Sequence, residues 1–326
     1  MLDIYFFNVG DGDSSLLSLK RQNLPDFNIL IDSGRNSLLE LVPESKRQFS
    51  SLQMIEMGID HIDVLMITHL HTDHMGHIIE IAKNIPIFKA IVPYIPSCRI
   101  INIPPASEND PYKHKFDEFA HVIQYYTEAI DYLKNHGCNV KTAWDEPEFK
   151  VDNLTVKTIL TENKLKDQIE LYEMLCKNST NPEFFNKPFD FNWHDITENR
   201  NPESLMEIIN YDGKQLLFAG DRYGKTFEDW SYGNCDLIKI PHHGDPKSLT
   251  KPLIEKLNPK YGIISCQMNV RKDKDRPNED IIKMLQAHKV EIYCTENREM
   301  STLSSSSCKR IHARIENGEI SIEKVD

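Results

Sequence analysis

The sequence predicts an α/β protein in which β-sheets pack together and helices lie outside them. Three observations carry that prediction. Short apolar segments separated by Gly/Asp turns fill the N-terminal third and read as mixed strands. After residue 236 the pattern changes to regular alternation of apolar runs with amphipathic helical stretches. Several apolar runs also empty straight into His, Asp and Gly, which is how strand ends build a site in layered α/β proteins.

Taken in order, Leu2 to Val9 and Ser14 to Leu19 are two strands joined by Gly10-Asp11-Gly12-Asp13, a hairpin-type turn, and Phe27 to Ile31 is a third that closes on Asp32-Ser33-Gly34. A helical stretch from Leu38 to Met57, interrupted near Pro43, precedes the apolar strand Ile62 to Ile67. A helix starts near His77, with Gly76 supplying the turn into it, and Ile87 to Val92 is the next strand. Phe116, Phe119, Ile123, Tyr126, Ile130 and Leu133 recur at helical spacing, so Lys115 to Asn135 is an amphipathic helix with a core-facing stripe. Val151 to Leu160 resumes β character, and Glu162 to Cys176 is another helix. Glu203 to Tyr211 and Lys214 to Ala219 form a hairpin across Asp212-Gly213. The alternation then runs through strand Leu237 to Ile240, helix Leu249 to Leu257, strand Tyr261 to Ser265, helix Asn278 to His288 and strand Val290 to Thr295. Two short strands, Arg310 to Ile315 and Glu319 to Val325, close the chain around Asn317-Gly318.

At 326 residues, with no low-complexity linker, the chain reads as a single domain over 1–326 with helical insertions at about 95–135 and 162–198. Apolar content of 40% and charged content of 27% describe a soluble globular protein. The net charge of −12 argues against a broad electrostatic grip on duplex nucleic acid, while leaving room for a narrow groove with local positive charge. Seven scattered cysteines without a Cys-x-x-Cys pair suit reduced, mostly buried thiols in a cytosolic protein. No basic-then-apolar leader and no apolar run near the ~20 residues of a bilayer span are present, so the expectation is a cytoplasmic protein with no membrane partner.

The chemistry concentrates in Thr68-His69-Leu70-His71-Thr72-Asp73-His74. In an extended segment His69, His71 and Asp73 project to one side and His74 turns away. Such a set can serve two neighbouring cations, His69 and His71 on one, Asp73 and His74 on the other. Two later strand ends deliver further candidates: Gly220-Asp221, and Pro241-His242-His243-Gly244. An Asp between two cations can bridge them with its two oxygens, and a water held by both becomes hydroxide near neutral pH.

The His-x-His-x-Asp-His spacing resembles the signature of the metallo-β-lactamase superfamily. More narrowly, the chain resembles the metallo-β-lactamase-like domain of the ComEC competence proteins. The matching blocks are Gly10 to Ser14, Ile31 to Gly34, Thr68 to His74, Asn201 to Leu205, Leu217 to Asp221 and Asp236 to Gly244, tailing off at Tyr293-Cys294-Thr295. The resemblance implies an αββα sandwich of two mixed sheets flanked by helices, with two divalent metal ions, Zn²⁺ or Mn²⁺. It implies His69 and His71 on the first metal, Asp73 and His74 on the second, Asp221 on both, and His243 rather than His242 completing the second site. It also implies outer-sphere orienting roles for Asp32, Thr68, Asn201 and Ser204. Asp11 and Asp13 would lie at the rim and touch substrate, Asp73 and His242 would take part in catalysis, and Arg276 would contact a phosphate beside the metals.

Two departures stand out. The further His that many superfamily members carry on the first metal is replaced by an Asn-x-x-Ser pattern at Asn201 and Ser204, with His194 just upstream as a substitute. Arg276-Pro277 stands where the family often has His-Pro, beside Arg271 and Lys272. The expected function is a binuclear metal-dependent hydrolase of phosphodiesters, a nuclease acting on single-stranded or short nucleic acid through a metal-bridging hydroxide. Two rivals stay open: hydrolysis of a small ester (lactone, thioester or phosphocholine-type), and a partner-regulated effector that engages a protein through its insertions.

Overall fold

Fifteen strands, all among the described residues, form two mixed sheets. The computed structural model describes residues 1–38, 44–100, 103, 113–160, 162–181, 183, 201–267, 276–296 and 306–326. The first sheet takes β1 (Leu2–Phe7), β2 (Ser15–Leu19), β3 (Phe27–Ile31), β4 (Ile62–Met66), β5 (Ile87–Val92) and β6 (Asn139–Thr142), and recovers the last two strands, β14 (Arg310–Glu316) and β15 (Glu319–Val325). Its order is β15-β14-β1-β2-β3-β4-β5-β6, antiparallel up to β3 and parallel from β3 onward.

The second sheet holds β7 (Glu148–Val151), β8 (Leu154–Ile159), β9 (Met206–Tyr211), β10 (Lys214–Phe218), β11 (Leu237–Lys239), β12 (Tyr261–Ile264) and β13 (Glu291–Cys294). Its order is β13-β12-β11-β10-β9-β8-β7, parallel from β13 to β10 and antiparallel beyond. Period-two alternation gives each sheet an inner face. Leu2, Ile4 and Phe6 on the first meet Leu154, Ile209, Leu216 and Phe218 on the second in one shared core. Phe6 and Phe218 stack across it with ring centroids 5.8 Å apart.

Helices cover both outer faces. On the first sheet lie α1 (Ser50–Glu56), α3 (Ile78–Asn84) and α4 (Lys113–Asn135), the last burying Phe119, Ile123, Tyr126, Ile130 and Leu133. On the second lie α6 (Lys251–Leu257) and α7 (Glu279–Ala287). α5 (Glu162–Asn178) follows a strand of the second sheet, yet its Leu171, Tyr172 and Leu175 join the core of the first-sheet helices. Tyr172 lies 5.7 Å from Phe119 and 5.5 Å from Tyr94, ring centre to ring centre, so the two insertions share one apolar cluster.

Several expectations require correction. Among the described residues of the stretch read as a helix from Leu38 to Met57, only Ser50–Glu56 is helical; 39–43 lie outside the described residues. Asp73 and His74 are not extended: Thr72–Met75 is a helical turn, α2, that starts directly after His71. Gly76 has an ordinary right-handed backbone (φ −67°). Glycine is required there because a Cβ would come within 2.3 Å of the Thr72 carbonyl oxygen. The seven cysteines form no disulfide and all but Cys98 are buried, in line with the expected free thiols. Among the described residues no helix is long and apolar enough to cross a membrane.

A buried ion pair ties the start of the chain to its last third. Arg47 Nε and Nη2 donate to the two oxygens of Glu296 at 2.7 and 2.8 Å, both side chains are fully buried, and Ser45 and Asn8 donate to the same carboxylate. Removing one partner strands the other charge without solvent. Arg47→Met is therefore expected to destabilise the fold by about 3–5 kcal/mol in urea denaturation, with much of the loss recovered when Glu296→Leu is added.

Candidate metal centre

Every candidate ligand sits just past the C-terminal end of a strand. β4 runs apolar to Met66 and delivers Thr68, His69 and His71, after which α2 presents Asp73 and His74. β10 delivers Asp221 through Gly220, where a Cβ would lie 2.8 Å from Thr68 Oγ1 and 2.9 Å from Ser204 Cβ. The two sheets approach so closely here that only glycine fits. β11 delivers His242 and His243, and both hold left-handed backbone (φ 50° and 55°), as does Gly244 (φ 79°).

The candidate ligands converge. Asp73, His74, Asp221 and His243 bring one ligand atom each within 4.8 Å of one another, and so do His69, His71 and Asp221. Asp221 belongs to both sets. Its Oδ1 lies 3.1 Å from His74 Nε2 and 3.7 Å from His243 Nε2, while Oδ2 lies 3.9 Å from His69 Nε2. His69 Nε2 is in turn 2.9 Å from His71 Nδ1. His74 Nε2, His243 Nε2 and Asp221 Oδ1 are buried without hydrogen-bond partners. Three mutually facing donor atoms, orphaned and sealed from water, are costly unless something binds them, and a divalent cation suits their chemistry. His74 does not turn away from His69; their ring centroids are 4.2 Å apart, because the α2 turn rotates it back.

Other side chains hold the ligand rings in place. Asp32 accepts from Thr68 N at 2.9 Å, from Thr68 Oγ1 at 2.8 Å and from His74 Nδ1 at 2.7 Å, leaving His74 Nε2 to face Asp221. His243 Nδ1 donates to the Ser265 carbonyl at 3.2 Å, which likewise leaves Nε2 toward the carboxylates. Ser204 Oγ accepts from Asp221 N at 3.1 Å and donates to Asn201 O at 2.9 Å. Asn201 Nδ2 donates to His242 Nε2 at 3.1 Å.

His242 takes a different position from its neighbour. Its Nε2 accepts from Asn201 and from the Arg276 guanidinium, and burial together with that cation pushes its pKa down. The same Nε2 lies 3.6 Å from Asp221 Oδ2, beside the shared carboxylate. Asp11 and Asp13 are not at the rim. Both are buried, and Asp13 is committed to Lys239, whose Nζ lies 2.7 and 2.8 Å from its two oxygens. His194, Arg271 and Lys272 lie outside the described residues.

Two residues with a clear place in the site had not been singled out. Lys239 is a charge inside the apolar strand β11, and that anomaly was its signal. Arg35 directly follows Asp32-Ser33-Gly34, and its Nη2 lies 3.4 Å from Asp73 Oδ2. Burial works against charge on Asp73 and on Asp221. Arg35 and His243 outweigh it for Asp73, and His74, His242 and His243 for Asp221, so both carboxyls lie well below the usual range. Burial also opposes charge on His74 and His243, yet Asp221 with Asp32, and Asp221 with Asp11, raise both histidines. His69 goes the other way, driven well down by burial and by His74 and His71.

The family model described as the metallo-beta-lactamase superfamily matches residues 12–95, from the first Gly/Asp turn through the His69–His74 motif to the end of β5. The chain is a metallo-β-lactamase-fold protein. A curated relative, ComE operon protein 3 of Bacillus subtilis, is 21% identical over 309 residues, covering 90% of this chain. The chain spans about a third (32%) of that relative's length. Among solved structures, the metallo-β-lactamase-fold protein YhfI of Bacillus subtilis is 9% identical with a TM-score of 0.45, covering 90% of this chain and 97% of its own. CmlA, a diiron β-hydroxylase from Streptomyces venezuelae, is 12% identical with a TM-score of 0.45, covering 89% and 52%. In this metallo-β-lactamase-fold protein the candidate centre lies where the two sheets meet, with each half of the chain supplying part of it.

Two measurements test the centre. Carboxylate neighbours raise the pKa of both His74 and His243 against the effect of burial, whereas a cation needs their lone pairs. Loading Zn²⁺ or Mn²⁺ into the metal-free protein at pH 7 should therefore release protons, and apparent affinity should climb with pH. Calorimetry in buffers of different ionisation enthalpy reads the proton count, and a count of zero would contradict the assignment. Asp32→Asn removes the acceptor that orients His74 and is expected to weaken metal binding about 10- to 100-fold, read by chelator competition.

Proposed function

We propose that this chain is a binuclear metal-dependent phosphodiesterase whose substrates include single-stranded or short nucleic acid. The observation that carries the reading is the sharing of Asp221 between two donor sets, His69/His71 and Asp73/His74/His243, where the two sheets meet and with arginines beside it. When bound there, two divalent ions supply Lewis-acid and water-activating chemistry suited to in-line displacement at phosphorus.

The chain's own residues divide the remaining work. Asp32 and Thr68 fix His74, and Ser204 and Asn201 fix Asp221 and His242. Arg276 lies against His242, with Nε 3.3 Å from Asp245 Oδ2 and Nη1 3.9 Å from Asp11 Oδ1. In this reading it offers N–H groups to a phosphoryl oxygen while His242 and Asp245 hold it in place. The net charge of −12 restricts recognition to this local positive region, which favours a short or flexible substrate over a long duplex.

A panel of assays on the purified protein loaded with Mn²⁺ or Zn²⁺ tests the reading. Hydrolysis of bis(p-nitrophenyl) phosphate is expected, without turnover of lactones or thioesters. Asp221→Asn should remove metal and activity together. Turnover of lactone or thioester alone would replace this reading with a small-ester hydrolase, and full metal occupancy without any turnover would favour the partner-regulated effector.

A further inference from the structure

Among the described residues, three cationic side chains reach the centre from within a net-acidic chain, and their surroundings separate them. Lys239 is 2% exposed and fully engaged by Asp13, so it is a structural counter-charge. Arg35 and Arg276 keep 19% and 15% of their side chains exposed and approach from opposite halves, one from the loop after β3 and one from the segment before α7. Both guanidinium groups reach the same buried carboxylate. Arg35 Nη2 lies 3.8 Å from Asp11 Oδ2, and its Nε donates to the Asp11 carbonyl at 2.8 Å; Arg276 Nη1 lies 3.9 Å from Asp11 Oδ1. That same Oδ1 is 3.8 Å from His243 Nε2.

Asp11 thus places an anion between two arginines and directly beside a candidate metal ligand. A carboxylate presents two oxygens on one atom, as the non-bridging oxygens of a phosphodiester do, and guanidinium forks match both. We propose that Arg35 and Arg276 form a two-armed clamp for the non-bridging oxygens of the phosphodiester, and that Asp11 is the internal anion which the substrate displaces from it. This inference rests on the phosphodiesterase reading for its substrate and adds Arg35 as a substrate-binding residue. It also changes the role of Asp11, from a group that attracts substrate to one that competes with it.

The competition gives the proposal a distinctive sign. Removing either arm should weaken binding, whereas neutralising Asp11 should strengthen it. A set of carboxylates and arginines that only neutralise one another would behave differently, since losing Asp11 would leave Arg35 with Asp73 and Arg276 with Asp245 as their remaining counter-charges and bring no gain in phosphate binding.

The test uses the full-length, metal-loaded protein with metal content checked for each variant, and two probes. Inorganic phosphate binding is read by calorimetry, and bis(p-nitrophenyl) phosphate turnover gives KM and kcat. Arg35→Gln and Arg276→Gln should each weaken phosphate binding and raise KM about 10- to 100-fold, as expected for a hydrogen bond to a charged group. Arg35→Lys, which keeps the charge and loses the fork, should fall between wild type and Arg35→Gln and covers the case in which the glutamine variant does not fold. Asp11→Asn should tighten phosphate binding and lower KM several-fold. Arginine variants that bind phosphate as wild type does, or an Asp11→Asn variant that binds it more weakly at full metal content, overturn the clamp. Arginine-dependent phosphate binding without diester turnover would support the clamp and overturn the phosphodiesterase reading instead.

Discussion

The centre depends on mutual neutralisation of charges that water cannot reach. Asp11, Asp13, Asp32, Asp73 and Asp221 are all buried at one end of the two sheets, and His69, His74, His242 and His243 are buried among them. No carboxylate of this group could stay ionised there alone. Asp13 is answered by Lys239, Asp32 by Thr68 and His74, Asp73 by Arg35 and Asp221 by the surrounding histidines, while Asp11 lies 3.8–3.9 Å from Arg35, Arg276 and His243. The site is therefore built as a lattice of paired charges, and a cation held there would compete with protons for the histidine lone pairs.

The same pairing explains why the two halves of the chain must close completely. The first sheet contributes the motif after β4, and the second contributes Asp221 and the His242–His243 corner. Two buried ion pairs, Asp13–Lys239 and Arg47–Glu296, span the same division. Such contacts add little net stability compared with apolar packing, but they tolerate no slippage, because a displaced partner leaves a bare charge. Precision at the centre follows from contacts of this kind combined with the apolar layer of Phe6, Ile209 and Phe218 beneath it.

Much of this was readable before any coordinates. Phe27–Ile31 and Ile87–Val92 have the boundaries expected of them, because burial of one or both faces writes itself into apolar periodicity; Glu319–Val325, an edge strand without a fully buried residue, was legible from the Asn317-Gly318 turn before it and its own period-two alternation. β6 and β7 escaped notice as separate strands for the opposite reason: each is an edge strand with alternating half-exposed residues and a weak apolar signal. The ligand types in the His69–His74 motif were legible, but not their directions, since the helical turn at Thr72–Met75 comes from tertiary packing. Arg35 and Lys239 are legible only as oddities, because their partners lie 38 and 226 positions away. Glu207 is a further case. It sits in β9, both its carboxyl oxygens are buried without hydrogen-bond partners, and burial raises its pKa well above the usual range, in a core that the sequence pattern assigns to apolar residues.

The corner at His242, His243 and Gly244 carries a wider consequence. Three successive left-handed residues are clamped by backbone bonds from His242 N to Gly220 O, from Asp245 N to His242 O and from Asn278 N to Gly244 O. Only the glycine adopts that conformation freely; each histidine gives up about 1–3 kcal/mol of backbone preference to hold it. Thermal robustness and chemistry are thus in direct opposition across these peptide units. A lineage pressed only for heat tolerance would drift toward glycine or asparagine here, and would shed the imidazoles as it did so.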